Sequence, residues 1–334
     1  MKFKFYTDAL EPVPKLSLDG TVPNSIHFSH WKGNQTPAEV KADTSTEIAL
    51  NLLASPNANE LTKGLELVTN NHFDTDGVLS VWTVLTGKHA LNFRELLVAA
   101  AEAGDFSEYT SEAGMRINLA IQGSDGVNLE EKPGSPLARL LAGGDVDDAR
   151  AYELILPEVE HLLTNIDDYE PLWHDGWKRI SDAVESFTTG RSKVKEISAA
   201  KLSVITLAPD VFSSRGFNPT RHVAPFTAIS RFAHSELYLI AVPANGNWFY
   251  RIDYPYHSWA ETVVRQRIPH RDFTSVLTGL NQRETSGVGR WKTDNRELTS
   301  AVKFLDEGGT LAPSALEPDY VANVLGLANS QETI

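Results

Sequence analysis

Residues 65–85 read LELVTNNHFDTDGVLSVWTVL. Leu65 to Val68 has the apolar, β-rich character of a strand. A polar turn carrying His72, Asp74, Asp76 and Gly77 follows, and a short apolar helix is expected from Val78. Side chains two apart on an extended segment leave the same side, so His72, Asp74 and Asp76 converge, and Gly77 lets the chain turn at once into the helix. Holding two carboxylates and an imidazole together is costly without a cation, and a divalent metal supplies one. One imidazole with two carboxylates and no sulfur suits Mn²⁺, Fe²⁺, Mg²⁺ or Zn²⁺ and argues against structural zinc or copper.

The strand, the run H-x-D-x-D-G-x-x-S at His72, Asp74, Asp76, Gly77 and Ser80, and the helix after it resemble the first motif of the DHH phosphoesterase superfamily. That resemblance implies an α/β fold: an N-terminal DHH-like α/β domain with a mainly parallel sheet, then a smaller α+β domain. It implies a metal-dependent hydrolase of a small phosphorylated or anionic molecule, working by attack of metal-bound water. His72 and Asp74 would hold one ion and Asp76 would bridge to a second, Asp74 and Asp76 being the catalytic pair and Mn²⁺ the first choice over Mg²⁺ or Fe²⁺. The chain contains no Asp-His-His run and no glycine-rich GGGH-type segment. A non-catalytic ligand-binding protein on the same scaffold is therefore an alternative. HFDTDG near the front with YPYHSW near the back also resembles an uncharacterised bacterial family, a likeness that carries no activity.

Other chemistries compete for the same turn. An EF-hand loop counted from Asp74 needs an oxygen ligand where Val78 stands and a Glu where Leu85 stands, so calcium is excluded. Asp74-Thr75-Asp76-Gly77-Val78-Leu79 resembles the opening motif of haloacid-dehalogenase-type phosphatases, which implies Asp74 as nucleophile and Asp76 as acid/base. That family has apolar residues just before the first Asp, where this chain has Asn70, Asn71, His72 and Phe73. The plainest reading is a helix cap, with Asp74 and Asp76 holding helix N–H groups and His72 packed.

Two more residues are candidate ligands. His30 ends a short strand, SIHFSH, beside Trp31, and Asp105 follows a helix, NFRELLVAAAEA, that Gly104 is expected to stop. Thr44 and Glu47 in DTSTEIALNLL have the spacing of a capping box.

With 334 residues the chain is long enough for one large or two medium domains. Domains are expected at 1–190, with a helical insertion, and at 200–334, separated by the polar, basic stretch Gly190 to Ala200. Without a single cysteine, thiolate sites and Cys nucleophiles are excluded. No apolar run is long enough for a membrane span and MKFKFYTDAL lacks a signal-peptide core, so a cytoplasmic location without membrane contact is expected. A net charge of −14 disfavours nucleic acid. Composition says nothing about oligomeric state.

Positive charge gathers late. From Asp210 to Arg296 ten Arg and one Lys stand against seven Asp and Glu. In RIDYPYHSWAETVVRQRIPHRD, Arg251, His257, Arg265 and Arg267 lie among aromatic residues. These four are the expected contacts to a small anionic substrate, with Arg265 and Arg267 as the clamp. Tyr254, Tyr256 and Trp259 are available to stack on a ring; core aromatics with surface arginines are the alternative.

For the remaining elements, the pattern predicts a loop over 123–136, helices at 135–141 and 147–165 with a break at Pro157, an aromatic turn PLWHDGW, and a helix over 177–187. Strands are expected at 202–207, 237–242 and 248–252, the last two joined by a hairpin turn at Ala244–Asn247, with helices near 273–280 and 299–304.

Overall fold

The computed structural model describes residues 1–122, 147–211, 223–294 and 298–331; the expected loop at 123–136 and helix at 135–141 lie outside them. The architecture is mixed α/β, with one parallel sheet, one mixed sheet and helices. The chain forms two compact units, Met1–Lys178 with Trp259–Arg267, and Arg179–Ser258 with Ile268–Ile334. Trp259–Arg267, expected in the second domain, therefore belongs to the first unit.

In the first unit four short strands, β1 (Lys2–Phe3), β2 (Lys15–Leu18), β3 (Ser25–Phe28) and β4 (Leu67–Thr69), lie in the order β1-β4-β2-β3, all parallel. The crossover from β3 to β4 is helical, through α1 (Ser45–Ala54) and α2 (Ala58–Leu61). After β4 come α3 (Thr75–Thr86), α4 (Arg94–Asp105) and α5 (Glu112–Gln122). Leu16, Leu18, Phe28 and Val68 from the sheet and Ile48, Leu52, Val78, Val81 and Leu97 from the helices share one core. Lys15, fully buried on β2, is made tolerable by four backbone carbonyls, those of Leu10, Glu11, Val13 and Asn24, which accept from its ammonium.

Helix boundaries moved for identifiable reasons. α3 starts at Thr75 and not Val78, because Asp74 is its N-cap and accepts from Gly77 N at 2.7 Å. Thr44 caps α1 in the expected way, accepting from Glu47 N at 3.2 Å. α4 runs through Gly104 to Asp105. A Cβ on Gly104 would sit 2.9 Å from Thr75 Cβ and 3.1 Å from Asn118 Oδ1, so that glycine permits close packing and does not stop the helix. The expected break at Pro157 is present between α6 (Asp148–Ile155) and α7 (Val159–Thr164). PLWHDGW is not a turn but lies inside α8 (Glu170–Thr188), where buried Leu172, Trp173, Ile180 and Ala183 follow a helical period.

The second unit carries a six-stranded sheet, β5 (Lys193–Ile197), β6 (Leu202–Thr206), β7 (Leu237–Ala244), β8 (Asn247–Asp253), β9 (Arg290–Thr293) and β10 (Ser300–Leu305), ordered β5-β6-β7-β8-β10-β9. Only the β6–β7 pair is parallel among these. Leu237, Leu239 and Ala241 face one core and Ile240 and Val242 the other, so β7 is covered on both sides. One cover is α9 (Val223–Phe232), the other α10 (Thr274–Arg283) and α11 (Pro318–Gln331). The hairpin turn uses Asn245 and Gly246, both at positive φ, as a two-residue turn of this type requires. Two expectations fail here. The supposed linker 190–200 contains strand β5, and the supposed helix at 299–304 is strand β10, wholly buried between β8 and β9. Its run SAVKFL is too short for periodicity to separate helix from strand. No helix among the described residues is long and apolar enough to cross a membrane.

Candidate metal centre

β2, β3 and β4 all point the same way, so the segments after them emerge along one edge of the sheet, where ligand sites of open parallel sheets form. Asp19 follows β2, Ser29 and His30 follow β3, and Asn70 to Asp74 follow β4. Asp76, in the first turn of α3, and Asp105, at the last residue of α4, reach the same place. Two ligand groups result: Asp19, His30, Asp76 and Asp105, all buried, and Asp19, His72 and Asp74 at the rim; within each, one donor atom per residue lies within 4.8 Å of the others.

Asp19 belongs to both groups, and its two oxygens divide between them. Oδ1 lies 3.6 Å from His30 Nε2 and accepts from Ser45 Oγ at 2.9 Å, while Oδ2 lies 2.8 Å from His72 Nε2. His72 Nε2 is 3.0 Å from Asp74 Oδ2, and His30 Nε2 is 3.0 Å from Asp105 Oδ2. Two donors about 2.1 Å from a shared ion and at right angles to each other stand about 3 Å apart. The His72–Asp74 contact is a hydrogen bond, but Asp19 Oδ2 and His30 Nε2 are buried and not aligned for one.

Both imidazoles are oriented from behind. His30 Nδ1 lies 2.7 Å from the Asp43 carbonyl and His72 Nδ1 3.0 Å from Asn71 Oδ1. A carbonyl only accepts, so each Nδ1 carries the proton and each Nε2 turns toward the carboxylates, the arrangement typical of metal-ligating histidines. Asp76 is held differently. Its Oδ2 and Oδ1 accept from Ser45 N and Thr46 N, both at 2.7 Å, at the start of α1.

Burial and the charges of its neighbours shift the titration of every member of the buried group. Burial opposes charge on His30, yet Asp105, Asp76 and Asp19 push its pKa up to about 10. His72, half-buried, is pushed up to about 11 by Asp74 and Asp19 against its partial burial. Burial and the neighbouring Asp19 raise Asp76 to about 6, and burial with the Asp76 charge drives Asp105 well above the usual carboxylate range. Burial works against Asp19 too, but the two imidazoles and Ser45 hold it low. Protons on these groups stand in for positive charge that a divalent ion would supply. The donors, two imidazoles and four carboxylates without sulfur, fit such an ion.

Glycine and strain mark the same spot. Asp19 is a non-glycine residue in the left-handed region, φ 63°, which costs about 1 kcal/mol. A Cβ on Gly20 would stand 2.0 Å from Asn71 Oδ1 and 2.5 Å from Asn70 Oδ1. At Gly77 a Cβ would meet Asn70 Nδ2 at 2.3 Å, Tyr152 Oη at 2.7 Å and Asp74 Oδ1 at 2.9 Å. Asn70, which donates to Tyr152 Oη and accepts from Gly20 N, is thus wedged between the loops that present Asp19 and Asp74. Gly77→Ala is expected to lower stability by about 1–3 kcal/mol through overpacking and to weaken metal retention; thermal denaturation with and without Mn²⁺ reads both.

The structure thus brings together His72, Asp74, Asp76, Asp105 and His30, and adds Asp19, which sequence reasoning passed over. Asp19, not Asp76, is the residue shared by the two groups; both Asp76 oxygens accept from the α1 amides. The available signal was the ending of β2, LSLDG, a strand running into Asp-Gly as at Asp76-Gly77.

Of the four basic candidates, Arg251 and His257 belong to the second unit and Arg265 and Arg267 to the first. Arg251 is buried, its Nε 2.8 Å from Asp253 Oδ2, and His257 lies in the 3-10 turn Tyr256–Trp259. Arg267 is exposed. Arg265 is not an anion clamp: its guanidinium meets Asp43 at 2.8 Å and Glu102 and Glu108 at 2.6 Å each, over the ring of Phe106. The backbone around it is tied down as well. Val263, Val264 and Arg265 donate their N–H groups to the Asp43 carboxylate, which, with Arg265 itself, holds that carboxyl low against its burial. Glu261 N donates to the His30 carbonyl at 2.7 Å, and Trp259 packs edge-on against the His30 ring. Residues 259–267 are therefore a strap over His30 and the end of α4.

No curated protein and no solved structure matches the chain. A family model matches residues 1–316, nearly the whole length and all of the candidate site: the chain belongs to DUF6687, a family of unknown function.

Proposed function

We propose that this protein is a metal-dependent hydrolase of a small phosphorylated molecule, with two divalent ions held on either side of Asp19. The observation that carries the reading is the division of the Asp19 carboxylate, one oxygen toward His30 and the other toward His72, with a buried imidazole nitrogen and a buried carboxylate oxygen left without hydrogen bonds. His30, Asp76 and Asp105 would hold the inner ion, His72 and Asp74 the outer one. Mn²⁺ is the favoured metal, with Mg²⁺ or Fe²⁺ also suited to oxygen and imidazole donors. Ions bound here supply acidified water and charge stabilisation at phosphoryl oxygens.

The chain's own residues do the rest. Asp43 and Asn71 fix the imidazole tautomers, the α1 amides fix Asp76, and Trp259 and Phe106 close His30 off from water. His72 and Asp74, at 25% and 29% exposure, are the open side, so substrate approaches there. Asp74 has both oxygens engaged, by Gly77 N and by His72, which favours a ligand over a phosphorylated nucleophile.

The test is metal analysis of protein purified without chelator, with hydrolysis of a generic phosphodiester in added Mn²⁺. Wild type is expected to retain metal and turn over; Asp74→Ala is expected to lose the outer ion and about 10³-fold in rate, the several kcal/mol such ions supply. Wild type without metal or Mn²⁺ response would exclude the reading.

Binding should also release protons, because each Nε2 must be bare to ligate. Raised imidazole values stabilise the metal-free fold below pH about 6.5, and this contribution is lost as pH climbs through about 10 to 11. The raised Asp76 acts in the same direction, its contribution fading between its ordinary value of 3.8 and about 6. Mn²⁺ affinity and the thermal stabilisation Mn²⁺ confers should therefore both increase from pH 6 to pH 8. Calorimetry in two buffers of different ionisation enthalpy is expected to show at least about one proton released per ion.

A further inference from the structure

The open side of the centre has a second feature that metal binding does not use. Trp31 follows His30 directly and its ring lies 5.1 Å from that of His72, tilted by 39°. Trp259 stands edge-on to it at 6.2 Å and 86°. The two indoles thus form a right-angled corner beside the outer ligand group. Trp31 is only half-buried, although packing alone would favour sinking so large an apolar ring fully into the core.

The loop that carries Trp31 is rigid. Trp31 N donates to Ser29 Oγ at 3.0 Å, and its carbonyl accepts from Asn34 N at 3.1 Å and Asn34 Nδ2 at 2.8 Å. Thr36 Oγ1 ties back to Ser29 in both directions, donating to its carbonyl and accepting from its N–H. Glu261 on the strap accepts from Gly33 N and Asn34 Nδ2. A half-buried indole on a backbone fixed in this way loses little entropy when a ring settles on it, the condition for a pre-formed binding platform.

Resting on the hydrolase reading, we propose that Trp31 is the platform for a planar aromatic ring carried by the substrate, so that the preferred substrate class is a phosphoester bearing such a ring beside its phosphoryl group. The phosphoryl end lies at His72 and Asp74 and the ring lies on Trp31, with Trp259 as the side wall. Stacking contributes a face-to-face contact that a puckered ring of the same size cannot make.

The probes are phenyl phosphate and cyclohexyl phosphate, matched in size and differing in planarity, bound to the Mn²⁺-loaded full chain and followed by calorimetry and quenching of tryptophan fluorescence. Wild type is expected to bind phenyl phosphate roughly tenfold more tightly. Trp31→Leu should lose that preference while keeping its metal content and its affinity for cyclohexyl phosphate, and Trp31→Phe should retain most of the preference. Equal affinity of wild type for the two compounds would overturn the platform. So would an equal loss of both in Trp31→Leu, which would mean that the indole only shields the ligands from water. Wild type that takes up no metal would overturn the hydrolase reading together with the platform, and the metal content measured on the same samples separates that failure from the others.

Discussion

Asp19→Asn is expected to abolish phosphodiester hydrolysis and to leave the chain unable to hold two ions. An asparagine keeps the size of the side chain and one carbonyl oxygen but replaces the other by an amide nitrogen that cannot ligate, so one of the two oxygens facing His30 and His72 is lost whichever way the amide turns. The rate should fall by about 10³-fold or more, since a carboxylate between two ions serves both. The fold should survive. Asn tolerates the left-handed backbone of position 19, and one negative charge fewer relieves the repulsion that raises Asp76. The distinguishing result is therefore a folded protein with near wild-type melting in chelator and a much smaller rise in melting temperature on adding Mn²⁺. A variant with full Mn²⁺ response and full activity would remove Asp19 from the centre.

The second large effect is expected at Arg265. Replacing it with Ala strips the partner from Asp43, Glu102 and Glu108 at once, and Asp43 is buried to 1% exposure. Breaking a buried ion pair by removing one member costs about 3–5 kcal/mol. The lower end applies here because Glu108 reaches solvent, which corresponds to a fall of roughly 6–12 °C in melting temperature for a unit of this size. The consequence extends to the metal centre. Asp43 orients His30 through its carbonyl, and the strap packs Trp259 on that ring, so Arg265→Ala should also lower metal affinity by about 10–100-fold, as loss of outer-shell support does elsewhere. Arg265→Lys keeps the charge but not the fork and should fall between. Had Arg265 been a substrate clamp, its loss would raise KM and leave melting and metal content untouched; that outcome would refute the structural role.

What could be read from the chain and what could not follows the range of the interactions involved. His72, Asp74 and Asp76 sit within five residues on one strand-to-helix turn, so the spacing alone brings them together. The helix-cap and metal readings of that turn are compatible: Asp74 gives one oxygen to Gly77 N and the other to His72. Asp19 was hidden because it reaches the turn through strand pairing, β2 against β4, which the composition of LSLDG does not announce. Its register, Leu16 opposite Val68 and Ser17 opposite Thr69, sets the two loops side by side.

The misreadings of Arg265 and of residues 299–304 have the same origin. An arginine among aromatics suggests an anion site only while its acidic partners, more than 150 residues away along the chain, are unknown. So short a run suits helix or strand equally until neighbours on both sides decide it. Gly104 shows the converse: a helix-stopping residue was overridden because tight packing against Thr75 needs a position without Cβ.

The most direct test of the proposed two-ion centre is a crystal structure of the Mn²⁺-soaked protein with diffraction recorded on both sides of the manganese absorption edge. Two anomalous peaks are expected, one among His30, Asp76 and Asp105 and one between His72 and Asp74, with the Asp19 carboxylate between them. No peak at these residues with Mn²⁺ in excess, or peaks only elsewhere on the chain, would contradict it.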